Sequence, residues 1–259
     1  MTKNEIIKIP LLEYDPEPGI IDPKRFAERI DIPRRGVVCF FNQIIKDLAK
    51  NSELELLSIR KCQTGEYPVY KIRYQGEDFT VFHPGIGAPL AVGLLEEVIA
   101  LGLNKIIVCG PGGVLDKSLI HGHIIVFDSA VRDEGTSYHY LPPSREIKAN
   151  PLAVRIIENV LSEKKISYTK GKTWTTDAFF RETVKKIDLR RKEGCIAVEM
   201  EASALFALAE YRKIILGQIL FAGDDCSDPE GQWDPRSNQT MINTPKDIFY
   251  LCLDIVKEF

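Results

Sequence analysis

The segment 195–209 constrains the fold most, because a short apolar strand leads directly into a helix that is apolar on nearly every face. A surface helix carries polar residues along one side, whereas 202–209 contains almost none. Such a helix must be covered on all sides, so we expect it to lie inside a layered α/β structure. Glu199 and Glu201 stand where the strand passes into this helix.

The composition is that of a globular protein with a full hydrophobic core. Hydrophobic residues make up 44% of the 259 positions, which is enough to bury a sizeable core in one domain. The net charge of −3, with acids and bases interspersed, excludes the basic stripe that nucleic-acid binding requires. The six cysteines have no metal-ligand spacing and indicate reduced thiols in a cytoplasmic protein. We expect no membrane partner, because no apolar run approaches membrane-spanning length.

Apolar runs alternate with helical segments from residue 36 onward. The pattern predicts strands at 37–41, 67–74, 77–83, 105–109, 124–127, 168–173, 196–198 and 214–221. It predicts helices near 44–50, 89–101, 151–162, 202–211 and 245–257. Strands that alternate with helices indicate a single α/β domain, 36–259, with a mixed, largely parallel central sheet flanked by helices. Residues 1–35 carry five prolines among charges, which predicts an extended N-terminal arm.

Active sites of such sheets lie at the carboxyl ends of the strands, so the chemistry is expected directly after them. The polar segment 226–239 is predicted to be a mobile surface loop near the site, with a lid as the alternative interpretation.

Five short motifs occur in the order and with the spacing of one enzyme family. They lie at 85–89, 110–113, 130–139, 175–180 and 198–202. On these motifs the chain resembles the nucleoside phosphorylase family, which holds purine nucleoside phosphorylase, uridine phosphorylase and methylthioadenosine nucleosidase. The resemblance runs from about residue 36 to the C-terminus. It implies a homo-oligomer, either a dimer or a hexamer, that acts on nucleosides.

The resemblance implies that Glu199, Met200 and Glu201 bind the ribose. A carboxylate only accepts hydrogen bonds, so it suits the two vicinal hydroxyls of a ribose. The alternative interpretation is that both glutamates are N-terminal helix charges that interact with the macrodipole.

Asp224 is the predicted catalytic acid, which acts on the leaving base. It follows an apolar strand, and its separation from Glu201 is similar to that between the ribose-binding glutamate and the purine-directed acid of the family. A nearby carboxylate such as Asp225 or Asp228 would help to keep it protonated. The alternative interpretation is that these three aspartates are ordinary turn residues.

The predicted base-binding residues are Phe179 and Asp224. Phe179 resembles the aromatic residue that stacks on the base in the family, whereas Phe180 is expected in the core. The pyrimidine enzymes read uracil with a Gln and an Arg, and Thr183 and Lys185 stand there instead. This favours purines.

The phosphate side departs most from the family pattern. In the segment 41–46, which replaces a Gly-Asp-Pro-x-Arg loop, only Lys46 keeps a positive charge. Val108 and Pro111 occupy the places of an Arg and of a Ser or Thr. The remaining candidates for anion binding are backbone amides in two glycine-rich turns, at Gly85, Gly87, Gly110, Gly112 and Gly113.

The sequence therefore predicts a nucleoside phosphorylase that cleaves a purine nucleoside with inorganic phosphate as co-substrate, without any other cofactor and without a metal. Three alternatives stay open. They are a nucleoside hydrolase of the same fold, a uridine phosphorylase, and a non-catalytic nucleoside-binding protein. The missing phosphate cations favour the hydrolase, whereas Asp224 argues against a mere binder and against the uridine enzyme.

Overall fold

A ten-stranded mixed sheet forms the centre of the protein. The structure, a computed structural model, describes residues 9–25 and 30–259. The strands are β1 Arg35–Cys39, β2 Leu54–Cys62, β3 Gly65–Tyr74, β4 Glu77–Phe82, β5 Lys105–Val114, β6 Ile124–Asp133, β7 Glu146–Lys148, β8 Tyr168–Thr176, β9 Cys195–Glu199 and β10 Ile215–Asp225. The α-helices are α1 Asn42–Lys50, α2 Ala88–Leu101, α3 Pro151–Glu163, α4 Val184–Lys192, α5 Ala202–Arg212 and α6 Pro245–Lys257.

Part of this sheet closes on itself. The strand order is β10-β6-β8-β9-β5-β1-β4-β3-β2, and β10 also pairs in parallel with β5. The strands β5, β10, β6, β8 and β9 therefore form a closed ring, from which β1, β4, β3 and β2 extend. Antiparallel pairs join β6 to β10, β9 to β5, β2 to β3, and β3 to β4. The predicted mixed α/β class is confirmed, with more antiparallel pairing than the sequence indicated.

The helices cover the sheet in two groups. Helix α2 packs against α5, while α6 contacts both α1 and α3. Helix α5 is buried along most of its length, because residues 202–209 are apolar or small on all faces. One large core cluster, with Val37, Phe127 and Leu205 among its members, runs through the whole structure. Among the described residues, no helix has the length and apolar character needed to cross a membrane.

Local sequence signals explain most of the predicted elements. The β3–β4 hairpin turns at Gln75 and Gly76, whose φ angles of 47° and 83° fit the tight turn expected for this dipeptide. Helix α6 starts with a capping box between Thr244 and Asp247. The pattern missed β2, β7 and α4. Helix α4 is largely polar, so its apolar periodicity is too weak to detect.

The N-terminal arm falls partly outside the described residues, at 1–8 and 26–29. Between these gaps the chain forms 3-10 turns at Pro10–Leu12 and Pro23–Arg25, neither of which contains a buried residue. The first turn contacts the segment Thr136–His139 and the second contacts α2. The boundary between arm and domain at residue 36 stays a prediction.

Candidate active site

One cavity of about 920 Å³ contains most of the predicted site residues. It lies where β5, β9 and β10 end, as expected for a sheet of this class. The predicted residues that line it are Gly110, Gly112, Gly113, Phe179, Glu199, Met200, Glu201 and Asp224.

Glu199 holds the start of helix α5. Its Oε2 accepts the backbone amides of Glu201 at 2.7 Å and Ala202 at 2.6 Å, and its Oε1 accepts the Thr175 hydroxyl at 2.6 Å. These amides are among those left unpaired at a helix N-terminus, and the carboxylate satisfies them. Burial raises the pKa of Glu199 to about 7, although these hydrogen bonds act in the opposite direction. The helix-terminal interpretation of Glu199 therefore has direct geometric support.

Glu201 is arranged differently, since it reaches across the cavity wall to another helix. Its Oε1 accepts the backbone amide of Gly87 at 2.6 Å. Gly87 precedes helix α2 with a φ of 88°, a conformation that favours glycine. Burial, and then the negative charge of Glu199, raise the pKa of Glu201 to about 8. This buried acceptor at the cavity surface is a candidate ligand for sugar hydroxyls.

Asp224 also lines the cavity. It is the penultimate residue of β10, and its Oδ2 accepts the indole N–H of Trp233 at 2.6 Å. The thiol of Cys226 lies 3.5 Å from the same oxygen. Trp233 belongs to the segment 226–239, whose base is fixed because Asp225 and Asp234 exchange backbone hydrogen bonds of 2.8 and 3.1 Å. The loop therefore places the Trp233 side chain in the cavity wall, which agrees with its predicted position near the site.

Two aromatic rings form part of the cavity wall. The ring centroids of Phe179 and Phe180 lie 4.1 Å apart, and both side chains line the cavity. Phe180 is 88% exposed, so its predicted place in the core is wrong. The reason is local: the 3-10 turn Phe179–Arg181 lies on the surface and contains no buried residue.

The predicted ribose-binding and base-binding residues all line the cavity, whereas only some of the predicted anion-binding residues do. Lys46 lies outside the cavity, on the exposed side of α1, because the neighbouring Ile45 and Leu48 fill the buried side. Gly85 and Gly87 also lie outside the lining, with Ile86 between them on the cavity wall. A Cβ at Gly85 would meet the Leu90 side chain at 2.4 Å, so close packing explains this glycine.

The segment 110–113 is not a turn. It continues β5, with Gly112 paired to Ala222 of β10 and Gly113 paired to Val198 of β9. The predicted turn is wrong, because pairing with strands on both sides holds the glycines extended. Their small size is nonetheless required: a Cβ at Gly113 would lie 2.9 Å from Val198 and 3.1 Å from the Cys226 sulfur. The anion-binding role of these amides stays a prediction.

Charge in the cavity is of one sign. Within the described part of the chain, its lining includes the carboxylates of Glu182, Glu199, Glu201 and Asp224 and no lysine or arginine. Residues 9–25 and 30–259 contain no cluster of three His, Cys, Asp or Glu side chains that could hold a metal ion. The arrangement suits a neutral or cationic ligand rich in hydrogen-bond donors.

Comparison with known proteins identifies the family. Residues 34–246 match the sequence profile of the Phosphorylase superfamily. The chain belongs to the Phosphorylase superfamily. A guanosine phosphorylase of Halorubrum lacusprofundi is 32% identical over 177 residues, which cover 68% of this chain and 70% of that protein. A uridine phosphorylase of Treponema pallidum is 24% identical over 187 residues, 68% of this chain and 72% of the other.

Solved structures share this fold. The purine nucleoside phosphorylase of Toxoplasma gondii, crystallised with immucillin-H, superposes with a TM-score of 0.76 at 21% identity, and the match covers 94% of this chain and 99% of the other. An AMP nucleosidase of Bacteroides thetaiotaomicron gives a TM-score of 0.70 at 20% identity, with 90% of this chain and 91% of the other covered. The fold is therefore found in one enzyme named as a phosphorylase and in one named as a nucleosidase.

Several further residues line the cavity outside the predicted site set, and three of them carry polar groups that bear on its chemistry. Glu182 and Trp233 reach it from a turn and a loop, whose side-chain directions cannot be read from periodicity. Gln218 is only 3% exposed, and its Oε1 has no hydrogen-bond partner among the described residues. A polar residue inside the apolar run of β10 was the available signal for Gln218, because buried amides need a partner.

Proposed function

We propose that the protein cleaves the N-glycosidic bond of purine nucleosides, with inorganic phosphate as the acceptor of the ribose. The products would be free base and ribose 1-phosphate, and no other cofactor takes part. The observation that carries the proposal is one cavity whose wall contains a buried acceptor, Glu201, an acid, Asp224, and an aromatic ring, Phe179.

In this proposal each group has one task. Glu201 accepts hydrogen bonds from the ribose hydroxyls and fixes the sugar, while Met200 packs beside it and Glu199 holds both at the start of α5. The Phe179 ring stacks on the flat base. As the bond to C1′ breaks, its electron pair moves onto the base, and Asp224 supports that charge with a proton or hydrogen bond.

Two observations support purines as the base. The first is the presence of Asp224. The second is that Thr183 and Lys185 stand where the pyrimidine enzymes of the family have the Gln and Arg that bind uracil. The relative from Halorubrum lacusprofundi is a guanosine phosphorylase, which makes guanosine the first nucleoside to assay. A preference for uridine would restore the uridine phosphorylase alternative.

Hydrolysis is the second candidate, because the described part of the cavity wall has four carboxylates and no cation. A phosphate dianion placed there would meet repulsion at short range, whereas a water molecule would not. Water as the nucleophile would release free ribose, as in a nucleosidase.

The decisive experiment is a product assay with guanosine, inosine, adenosine and uridine, each with and without phosphate. Ribose 1-phosphate formed only with phosphate supports phosphorolysis, and free ribose formed at the same rate in its absence supports hydrolysis. Nucleoside binding without formation of any product would support the alternative of a non-catalytic nucleoside-binding protein. Lys46→Ala should leave the KM for phosphate unchanged if the anion binds in the cavity, and should raise it if α1 contributes the cation.

Assembly and location remain proposals of the same kind. A homo-oligomer, dimer or hexamer, is expected from the family resemblance, and a cytoplasmic location from the reduced cysteines. Light scattering of the purified protein measures the first. Fractionation of cells that express the tagged chain measures the second.

A further inference from the structure

One carboxylate in the cavity has no part in the proposed reaction. Glu182 lies between the 3-10 turn Phe179–Arg181 and α4, and its half-buried side chain lines the cavity with Asp224. The sulfur of Cys226 contacts both acids, at 3.9 Å from Glu182 Oε2 and 3.5 Å from Asp224 Oδ2. The two carboxyl groups are therefore near neighbours across one thiol.

The Cys226 thiol can satisfy only one of them. Burial, and then the charges of the two acids, raise the pKa of this thiol, so the sulfur keeps its hydrogen. One hydrogen serves one oxygen, and the other carboxyl group needs a further proton or donor. Two like charges close together disfavour full ionisation of the pair.

The surrounding charges do not remove this repulsion. Burial, and then the charge of Asp224, raise the pKa of Glu182 to about 7, while the thiol and Lys186 of α4 act in the opposite direction. The Lys186 ammonium is engaged with Asp133, at 3.4 Å. Other charged groups in this region include the cavity carboxylates Glu199 and Glu201, the ion pair of Asp225 with Arg236, and Arg191, whose guanidinium donates to the Ser227 carbonyl at 3.1 Å.

Asp224 has one oxygen available for a ligand. Among the described residues, the recorded hydrogen bonds to its carboxylate come from Trp233 and Cys226 and both go to Oδ2. Its Oδ1 is left for the base. A proton on the pair can therefore reach the base through Asp224 while the indole N–H keeps the carboxylate oriented.

We propose that Glu182 and Asp224 share one proton across Cys226 and that this proton is the one delivered to the leaving purine. The inference rests on the proposed function and assigns Glu182 as a positioning residue that acts through Asp224. The bond from C1′ to the base breaks, and its electron pair goes to the purine. The shared proton moves to a purine ring nitrogen and leaves both acids ionised. Water at the cavity mouth then returns a proton to the pair.

The test compares two substrates that differ in their need for a proton. Guanosine must be protonated as it leaves, whereas the base of 7-methylguanosine already carries a positive charge. Glu182→Gln should lower kcat for guanosine about tenfold or more at pH 8, since general acids contribute rate factors of this size. The same variant should change kcat for 7-methylguanosine by no more than about twofold. The alkaline limb of the pH profile of kcat for guanosine should move to lower pH.

The matched control is Glu230→Gln, an equivalent change at an exposed glutamate of the loop 226–239. This control should change neither the kcat values for the two substrates nor the pH profile. Equal losses on both substrates in Glu182→Gln, or an unmoved pH profile, would overturn the shared proton while leaving the proposed function intact. If the wild-type protein cleaves neither nucleoside, the proposed function fails and this inference fails with it.

Discussion

Glu199 and Glu201 should separate stability from activity, although both are buried glutamates within one motif. In Glu201→Gln the amide oxygen can still accept the Gly87 N–H, so the contact between α5 and α2 is kept. What is lost above pH 8, where the Glu201 carboxyl group is ionised, is a charged acceptor for the ribose. A hydrogen bond to a charged group contributes about 1.5–3 kcal/mol, so kcat/KM should fall by about one to two orders of magnitude.

The same substitution at Glu199 should act on the fold. Both oxygens of Glu199 are occupied, one by two backbone amides of α5 and the other by the Thr175 hydroxyl. Glutamine keeps one oxygen for the two amides but places an NH₂ group against the Thr175 hydroxyl, which loses the acceptor to which it donates. This should destabilise the protein by about 1–3 kcal/mol. In contrast, Glu201→Gln should be as stable as wild type, or more stable above pH 8, because it removes a buried carboxyl group with a raised pKa.

The assay measures kcat/KM for guanosine, 2′-deoxyguanosine and 3′-deoxyguanosine, and urea unfolding reports stability. If Glu201 accepts from a ribose hydroxyl, the loss in Glu201→Gln must shrink for the substrate that lacks that hydroxyl. Wild-type activity in a folded Glu201→Gln variant would refute the ribose assignment. A loss equal on all three substrates would place the effect elsewhere than in the hydroxyl contact.

Three further outcomes follow from the site. Asp224→Asn should lower guanosine cleavage about a hundredfold, as expected for loss of a general acid, while Asp228→Asn, a loop change outside the cavity lining, should have little effect in the same assay. Gln218→Leu should raise the urea midpoint or leave it unchanged, because it removes a buried amide whose Oε1 has no partner in the described part of the chain, and a lowered midpoint would contradict this explanation. The carboxyl groups of Glu182, Glu199 and Glu201 have pKa values of about 7, 7 and 8, above their unfolded value, so the native state holds extra protons up to this range. Stability should therefore fall as pH rises from about 4.5, the unfolded value, to about 8 and should then level off, measured by urea unfolding, and a rising midpoint over this window would contradict the assignment.

The sequence predicted those parts of the site that depend on contiguous residues. Glu201 sits where an apolar strand meets an internal helix, and both the strand and the helix have clear patterns. Asp224 was found in the same way, at the end of the apolar run of β10. In both cases the local chain direction fixes where the side chain lies.

The failures share a different physical cause. Glycine and proline mark turns in general, yet segment 110–113 is held extended by strands on both of its sides. That pairing depends on β9 and β10, which are distant in sequence. Glu182 and Trp233 likewise reach the cavity only through the packing of α4 and the loop 226–239, which periodicity cannot report.

The acid-lined cavity connects these observations with the chemistry. Burying several carboxylates is costly for folding, and burial raises the pKa of both Glu199 and Glu201 for the same reason. Such an arrangement is favourable only for a state that brings positive charge or protons into the cavity. Cleavage of a glycosidic bond does so, because the sugar becomes oxocarbenium-like and the departing base takes up a proton. Once ionised, the buried carboxylates stabilise that transition state more than the neutral substrate, so groups that weaken the fold at high pH are suited to lowering the barrier to cleavage.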